Sequence, residues 1–206
     1  ATMRLFRYGD PGSEAPGVEL AWGERVDVSH LVDDFDEAFF ATGGLEALAQ
    51  WVDGGCVGCR EVPEGVRVGT PVARPSKIVC IGKNYADHAA EFYSEVPEQP
   101  VVFLKSSSSF AGPFDDLPLP RGSVRSDYEV ELAVIIGRTT SNVSEEMAPL
   151  HIAGYSVMGD FTERAFQKDM GGQWTKGKSC DGFGPMGPVL VTRDEIPEPG
   201  VLRLWT

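Results

Sequence analysis

Glu129 and Glu131 stand two residues apart at the head of the apolar run 129–136. On a β-strand that spacing puts both carboxylates on one face. The run behind them is almost wholly apolar, which predicts a strand buried on both faces. Two carboxylates at the mouth of such a strand repel each other and lose hydration. A hard divalent cation relieves both penalties. A solvated strand end relieves them too, so the pair alone leaves both readings open. Asp160 follows a second apolar stretch, 154–158, and precedes a predicted helix. It suits either a third oxygen ligand or the cap of that helix.

His88 and Glu91 lie three apart in the segment 82–91 and share one face of a predicted helix. A carboxylate that orients an imidazole and favours its cation builds a general base. An ordinary surface pair has the same spacing. Lys176 and Lys178 sit in the glycine-rich stretch 174–188, which reads as an anion-binding loop or as a solvated basic loop. His30 stands alone and reads as a surface or packed histidine.

Strands must position most of these groups. Glycine (24) and proline (15) are frequent without any period, so turns separate many short elements and the fold is β-rich. Strands are predicted at 3–7, 18–22, 27–32, 77–81, 101–104, 129–136, 154–158 and 189–191. Helical spacing marks 44–52, ended by Gly54 and Gly55, and shorter helices are predicted around 85–92 and 147–152. The Pro-, Gly- and charge-rich segment 60–75 reads as a linker. The expected organisation is a small α+β unit over residues 1–70 and a β-rich catalytic domain over 71–206. The last run, 201–206, alternates like a strand, so the domain is expected to be incomplete at that end.

The net charge of -13 and the pI of about 4.6 repel phosphate backbones and anionic lipid. Neither nucleic acid nor membrane is therefore expected as a partner. No signal-peptide core and no run of 18 apolar residues is present, which predicts a cytoplasmic protein. Of four cysteines only Cys56 and Cys59 are closely spaced. They read as two reduced thiols in a loop, a lone CxxC being a weak zinc signal. Cys80, inside an apolar run, reads as a small buried hydrophobe.

Taken together and in order, these segments resemble the fumarylacetoacetate hydrolase family. The resemblance is carried by Gly82-Lys-Asn-Tyr-Ala-Asp-His-Ala-Ala-Glu91, by Phe103-Leu-Lys105 and by Tyr128-Glu-Val-Glu-Leu132. It continues in Gly159-Asp-Phe-Thr-Glu-Arg-Ala-Phe-Gln167 and Lys176-Gly-Lys-Ser-Cys-Asp-Gly-Phe-Gly-Pro-Met-Gly-Pro188. It implies a mixed β-sheet roll with short helices behind a small N-terminal α+β domain. It further implies that Glu129, Glu131 and Asp160 bind Mg2+ or Mn2+, with Ca2+ as a crystal substitute. An all-oxygen set independently suits these ions better than zinc. By the same resemblance His88 and Glu91 form the catalytic dyad, Lys178 lies beside the metal, and Lys105, Arg164 and Gln167 contact the substrate.

The implied reaction is metal-dependent cleavage of a carbon–carbon bond in an anionic 2,4-dioxo acid by a homodimer. The Arg7-Tyr8-Gly9 opening is similar to a branch that holds 2,4-diketo-3-deoxy-L-fuconate hydrolase-like and ureidoglycolate lyase-like proteins. Decarboxylation of oxaloacetate-like acids, isomerisation of dienoates, C–N lysis of ureidoglycolate and an inactive truncated scaffold are the alternatives. Two departures stand out. Gly159 replaces the family's asparagine, which predicts a looser turn, and the family's later strands with their Thr-Gly-Thr-Pro loop are not found before Thr206.

Overall fold

A hairpin begins the fold. β1 (Met3–Tyr8) and β2 (Ala15–Leu20) pair antiparallel from Met3↔Leu20 to Tyr8↔Ala15. The Phe6 ring lies over Gly17, where a Cβ would sit 2.5 Å from Cζ, so only glycine fits opposite that aromatic. β3 (Arg25–Asp27) and β4 (Arg60–Glu61) extend this sheet on one side. On its other side β1 pairs with β12 (Gly184–Thr192), β12 with β10 (Ile152–Gly159), and β10 with β9 (Val130–Ile136). β7 (Phe110–Ala111) joins β12 in parallel and completes an eight-stranded sheet. The sheet is thus continuous across residue 70, linking Leu5 to Leu190. This is the computed structural model of the chain, and it describes residues 2–85 and 97–206.

Two small ladders stand apart from the main sheet. β5 (Ile78–Gly82) pairs with β6 (Val101–Lys105), and β8 (Ser126–Asp127) with β11 (Thr162–Glu163). Among the described residues four short helices fill the connections: α1 (Glu37–Ala41), α2 (Gly44–Asp53), α3 (Arg164–Lys168) and α4 (Trp174–Lys178). The protein is α+β, with mostly antiparallel sheets. Met3, Leu5, Val18, Val26, Phe35, Leu48 and Leu190 pack as one apolar core under α1 and α2. At roughly 25 cal/mol per Å2 of apolar surface removed from water, such burial is the main drive that holds helix to sheet.

Several local expectations are corrected. The second strand runs from Ala15 to Leu20 rather than over 18–22, because Gly23 N–H returns to Leu20 O (2.8 Å) and turns the chain earlier. The third strand is Arg25–Asp27 and not 27–32. Asp27 Oδ1 accepts from Ser29 N–H (3.2 Å) and Ser29 Oγ–H (2.7 Å), an Asx-type turn that stops the ladder. The segment 60–75 is no free linker. It supplies β4, and Gly69 N–H donates to Arg7 O (2.8 Å) while Arg7 Nη1 reaches Thr70 and Val72.

β9 is not buried on both faces, since Val134 and Ile136 remain about half exposed. The 147–152 helix is a 3-10 turn, Ala148–His151. Pro199–Val201 is another such turn, and residues 202–206 join no strand ladder among the described residues. Alternation alone makes no strand without a partner for its N–H and C=O groups. Cys80 is half-buried rather than sealed, and all four cysteines are free. The helix expected around 85–92 lies, apart from Tyr85, outside the described residues.

Candidate metal and active site

The β9–β10 ladder sets the site. Its register aligns Glu131 with Met158 and Val130 with Gly159, so the head of β9 lies beside the tail of β10. Asp160 is the next residue, and its N–H donates to Glu129 O at 2.9 Å. That bond closes the turn around Gly159, and Phe161 N–H donates to Phe183 O at 3.0 Å on its far side. A Cβ on Gly159 would meet the Phe161 ring at 2.8 Å, so the glycine here admits close aromatic packing.

Glu129, Glu131 and Asp160 consequently converge. One oxygen from each lies within 4.8 Å of the others, and among the described residues this is the one cluster of metal-ligating groups. Asp160 is only 5% exposed. It does not cap α3, because the Glu163 side chain does so by accepting from Ala165 N–H at 3.0 Å. Of the two readings open to Asp160 in the sequence, the cap is excluded.

Two buried ammonium groups balance the cluster. Lys178 Nζ donates to Asp160 Oδ2 (2.6 Å) and Glu129 Oε2 (3.0 Å). Lys105 Nζ donates to Asp160 Oδ1 (2.7 Å), to Phe161 O (3.1 Å) and to Lys178 O. Lys105 joins the cluster, but its three N–H bonds are all spent on protein acceptors. Burial pushes its pKa down, against the pull of Asp160. Lys176, in contrast, is exposed and donates to Met170 O, so the basic loop contributes one lysine to the site and one to its surface.

Among the described residues no ammonium or guanidinium bonds to Glu131. Burial first, then Asp160 and Glu129, push its pKa up to about 7, against the opposing effects of Lys178 and a hydrogen bond from Tyr85. Arg164 forks across the other edge, reaching Glu129 Oε1 (2.5 Å), Asp127 Oδ2 (2.9 Å) and Gln167 Oε1 (3.1 Å). Gln167 is 3% exposed and holds the guanidinium from behind. His88 and Glu91 lie outside the described residues.

Three neighbours escaped the sequence reading. Asp127 could have been found, because 127, 129 and 131 continue one period-2 row of carboxylates. Tyr85 lies inside the quoted 82–91 segment. Glu163 carried no signal. It is fully buried and accepts from Ser123 Oγ–H, Ser126 Oγ–H and the N–H groups of Val124, Arg125 and Ala165.

Comparison with known proteins decides the family. Residues 77–206 match the model for the fumarylacetoacetate (FAA) hydrolase C-terminal domain. The chain belongs to the fumarylacetoacetate hydrolase family. A Burkholderia multivorans protein named "Putative hydrolase" is 47% identical over 203 residues, which are 98% of this chain and 71% of that protein. The structure of a fumarylacetoacetate hydrolase from psychrophilic Exiguobacterium antarcticum is 37% identical, with a TM-score of 0.72 over 94% of this chain and 68% of its own. A 5-carboxymethyl-2-hydroxymuconate delta-isomerase from Mycobacterium smegmatis is 30% identical, with a TM-score of 0.64 over 92% and 66%. The family thus includes hydrolases and isomerases on one fold. Among the described residues no helix is long and apolar enough to cross a membrane.

Proposed function

We propose that this protein is a divalent-metal-dependent hydrolase that cleaves a carbon–carbon bond in a 2,4-dioxo acid, releasing pyruvate or a related 2-oxo acid. One observation carries the reading: Glu129, Glu131 and Asp160 converge within 4.8 Å while Lys178 holds two of them. The donor set fits a hard cation. It is all oxygen, and burial with the nearby Asp160 and Glu129 drives Glu131 toward its neutral form, where a cation would hold it ionised. Bound there, Mg2+ or Mn2+ would supply Lewis acidity toward the carboxylate and 2-oxo oxygens of the substrate.

The side chains do the rest. Arg164, with Gln167 behind it, attracts the anionic acid. Glu91 orients His88, and His88 takes a proton from water. The hydroxide so formed adds to the distal carbonyl carbon. The bond between that carbon and the CH2 then breaks, leaving a carboxylic acid and the enolate of the 2-oxo acid. Lys178 holds the charge that develops on the enolate oxygen, and protonation at carbon completes the product. The chain acts on its small substrate as a cytoplasmic homodimer, with residues 1–70 supporting a catalytic part over 71–206.

An isomerase reading is favoured by the likeness to the delta-isomerase, because both reactions pass through a stabilised enolate. The test is release of pyruvate from an acylpyruvate with Mn2+ and with EDTA, in the wild type and Glu131→Gln. Mn2+-dependent pyruvate that the substitution lowers by about 100-fold supports the hydrolase, the loss following from a weakened hold on the ion that would stabilise developing charge. Double-bond migration in a dienoate without pyruvate release would favour the isomerase. No Mn2+-dependent turnover of either substrate would defeat both.

A further inference from the structure

The pair Cys56 and Cys59 lies at the end of α2, outside the acidic site. We infer that these two residues form a preorganised thiol–disulfide site, oxidised to an intramolecular disulfide by low-molecular-weight disulfides. The inference rests on how firmly the backbone holds both cysteines. α2 closes with a Schellman arrangement. Gly55, at φ +89°, donates to Val52 O (3.0 Å), and Cys56 N–H donates to Trp51 O (3.2 Å). Glycine meets the αL position at the helix end without a Cβ penalty. Cys56 is therefore fixed to the last turn of the helix.

Cys59 is then folded back onto Cys56. Its N–H donates to Cys56 O at 3.1 Å, closing a four-residue turn with Gly58 at φ +78°, the sign that a type II turn needs at its third residue. Such a turn keeps its end Cα atoms within about 7 Å, the range from which a disulfide closes. Trp51 braces the turn a second time, because its indole Nε1–H donates to Val57 O at 2.9 Å. The two sulfurs sense one another. Burial first, and then the neighbouring Cys59, push the Cys56 thiol up.

Access is asymmetric. Cys59 is exposed, whereas Cys56 is half-buried with Sγ 3.9 Å from Val52 O. Cys59 is thus the attacking sulfur and Cys56 the resolving one. The Cys59 thiolate attacks one sulfur of R–S–S–R and expels R–S−, which takes up the proton that Cys59 gave up. Cys56, losing its proton, then attacks the Cys59 sulfur and expels the second R–S−. Two thiols become one disulfide and the oxidant becomes two R–SH, so electrons and protons balance. A metal is the poorer occupant. His30 faces the turn, but among the described residues no three ligand atoms converge there.

The test is exposure of the folded chain to oxidised glutathione, followed by acid quench and mapping of the tryptic peptide 26–60, which holds both cysteines. The expected product is that peptide lighter by two hydrogens, with Cys56→Ser instead trapping a glutathione adduct on Cys59. The ratio of internal disulfide to adduct should fall about tenfold in urea, where the brace is lost. Persistent adducts on both cysteines of the folded wild type, pairing with Cys80 or Cys180, or an unchanged ratio in urea would each overturn the inference.

Discussion

Lys105 and Lys178 divide the carboxylate of Asp160 between them, at 2.7 Å on Oδ1 and 2.6 Å on Oδ2. Their remaining bonds differ. Lys105 turns to the carbonyls of Phe161 and Lys178, and so ties the strand end to the end of α4. Lys178 turns to Glu129, and so serves the carboxylates themselves. One ammonium is a clasp for backbone, and the other occupies the space among the acids.

That difference predicts different responses to metal. Lys105→Met and Lys178→Met each remove one member of a buried ion pair, which costs roughly 3–5 kcal/mol. Mn2+ can replace the charge that Lys178→Met removes, because it would bind the same carboxylates. It cannot restore the hydrogen bonds that the Lys105 ammonium donates to the two carbonyls. Urea unfolding with and without Mn2+ should show most of the deficit recovered in Lys178→Met and little in Lys105→Met. Equal recovery in both would contradict the division of labour.

Gly177 tests how the lysine is carried to the site. A Cβ there would stand 2.5 Å from Glu163 O and 2.7 Å from Gln167 N, both backbone atoms. Gly177→Ala must push α4 off α3 and move Lys178 with it. The expected loss is about 1–3 kcal/mol, as for other forced insertions, together with weaker Mn2+ binding. Lys176→Ala, one residue away on the exposed side, should stay within about 0.5 kcal/mol of wild type. Calorimetric Mn2+ titration and urea midpoints measure both. A Gly177→Ala protein that matches wild type in stability and Mn2+ affinity would refute the packing argument.

The legible parts of the site are those governed by short periods. Glu129, one residue ahead of β9, and Glu131 converge as the spacing of a strand predicts, and the β9–β10 ladder follows from two apolar runs. Asp160 is ambiguous in the sequence, since a carboxylate before a helix looks like a cap. Only the interposed β11 and the Glu163 cap remove the cap reading. Lys105 and Lys178 meet across 73 residues, which no local pattern encodes. α1 escapes the sequence reading because five residues are too few for a helical period, although Asp36 caps it by accepting from Phe39 N–H at 2.9 Å. The tail misleads because alternation describes a strand's faces and not its partner.

Glu163 predicts a pH dependence. Burial raises its pKa, but the hydrogen bonds from Ser123, Ala165, Arg125 and Ser126 outweigh this and hold it below the ordinary 4.5. A folded pKa below the unfolded one means stability that is present above the ordinary value and lost as pH falls through the depressed one. Glu163→Gln substitutes an amide for one acceptor oxygen and leaves N–H donors short of a partner, at a cost of roughly 1–3 kcal/mol at pH 7. The gap between wild type and Glu163→Gln should therefore narrow as the pH drops below the ordinary glutamate range, because the wild-type advantage depends on ionisation. Guanidinium midpoints taken between pH 7 and pH 3 measure it. A gap that stays constant over that window would show that the bonds to Glu163 do not discriminate between its charged and neutral forms.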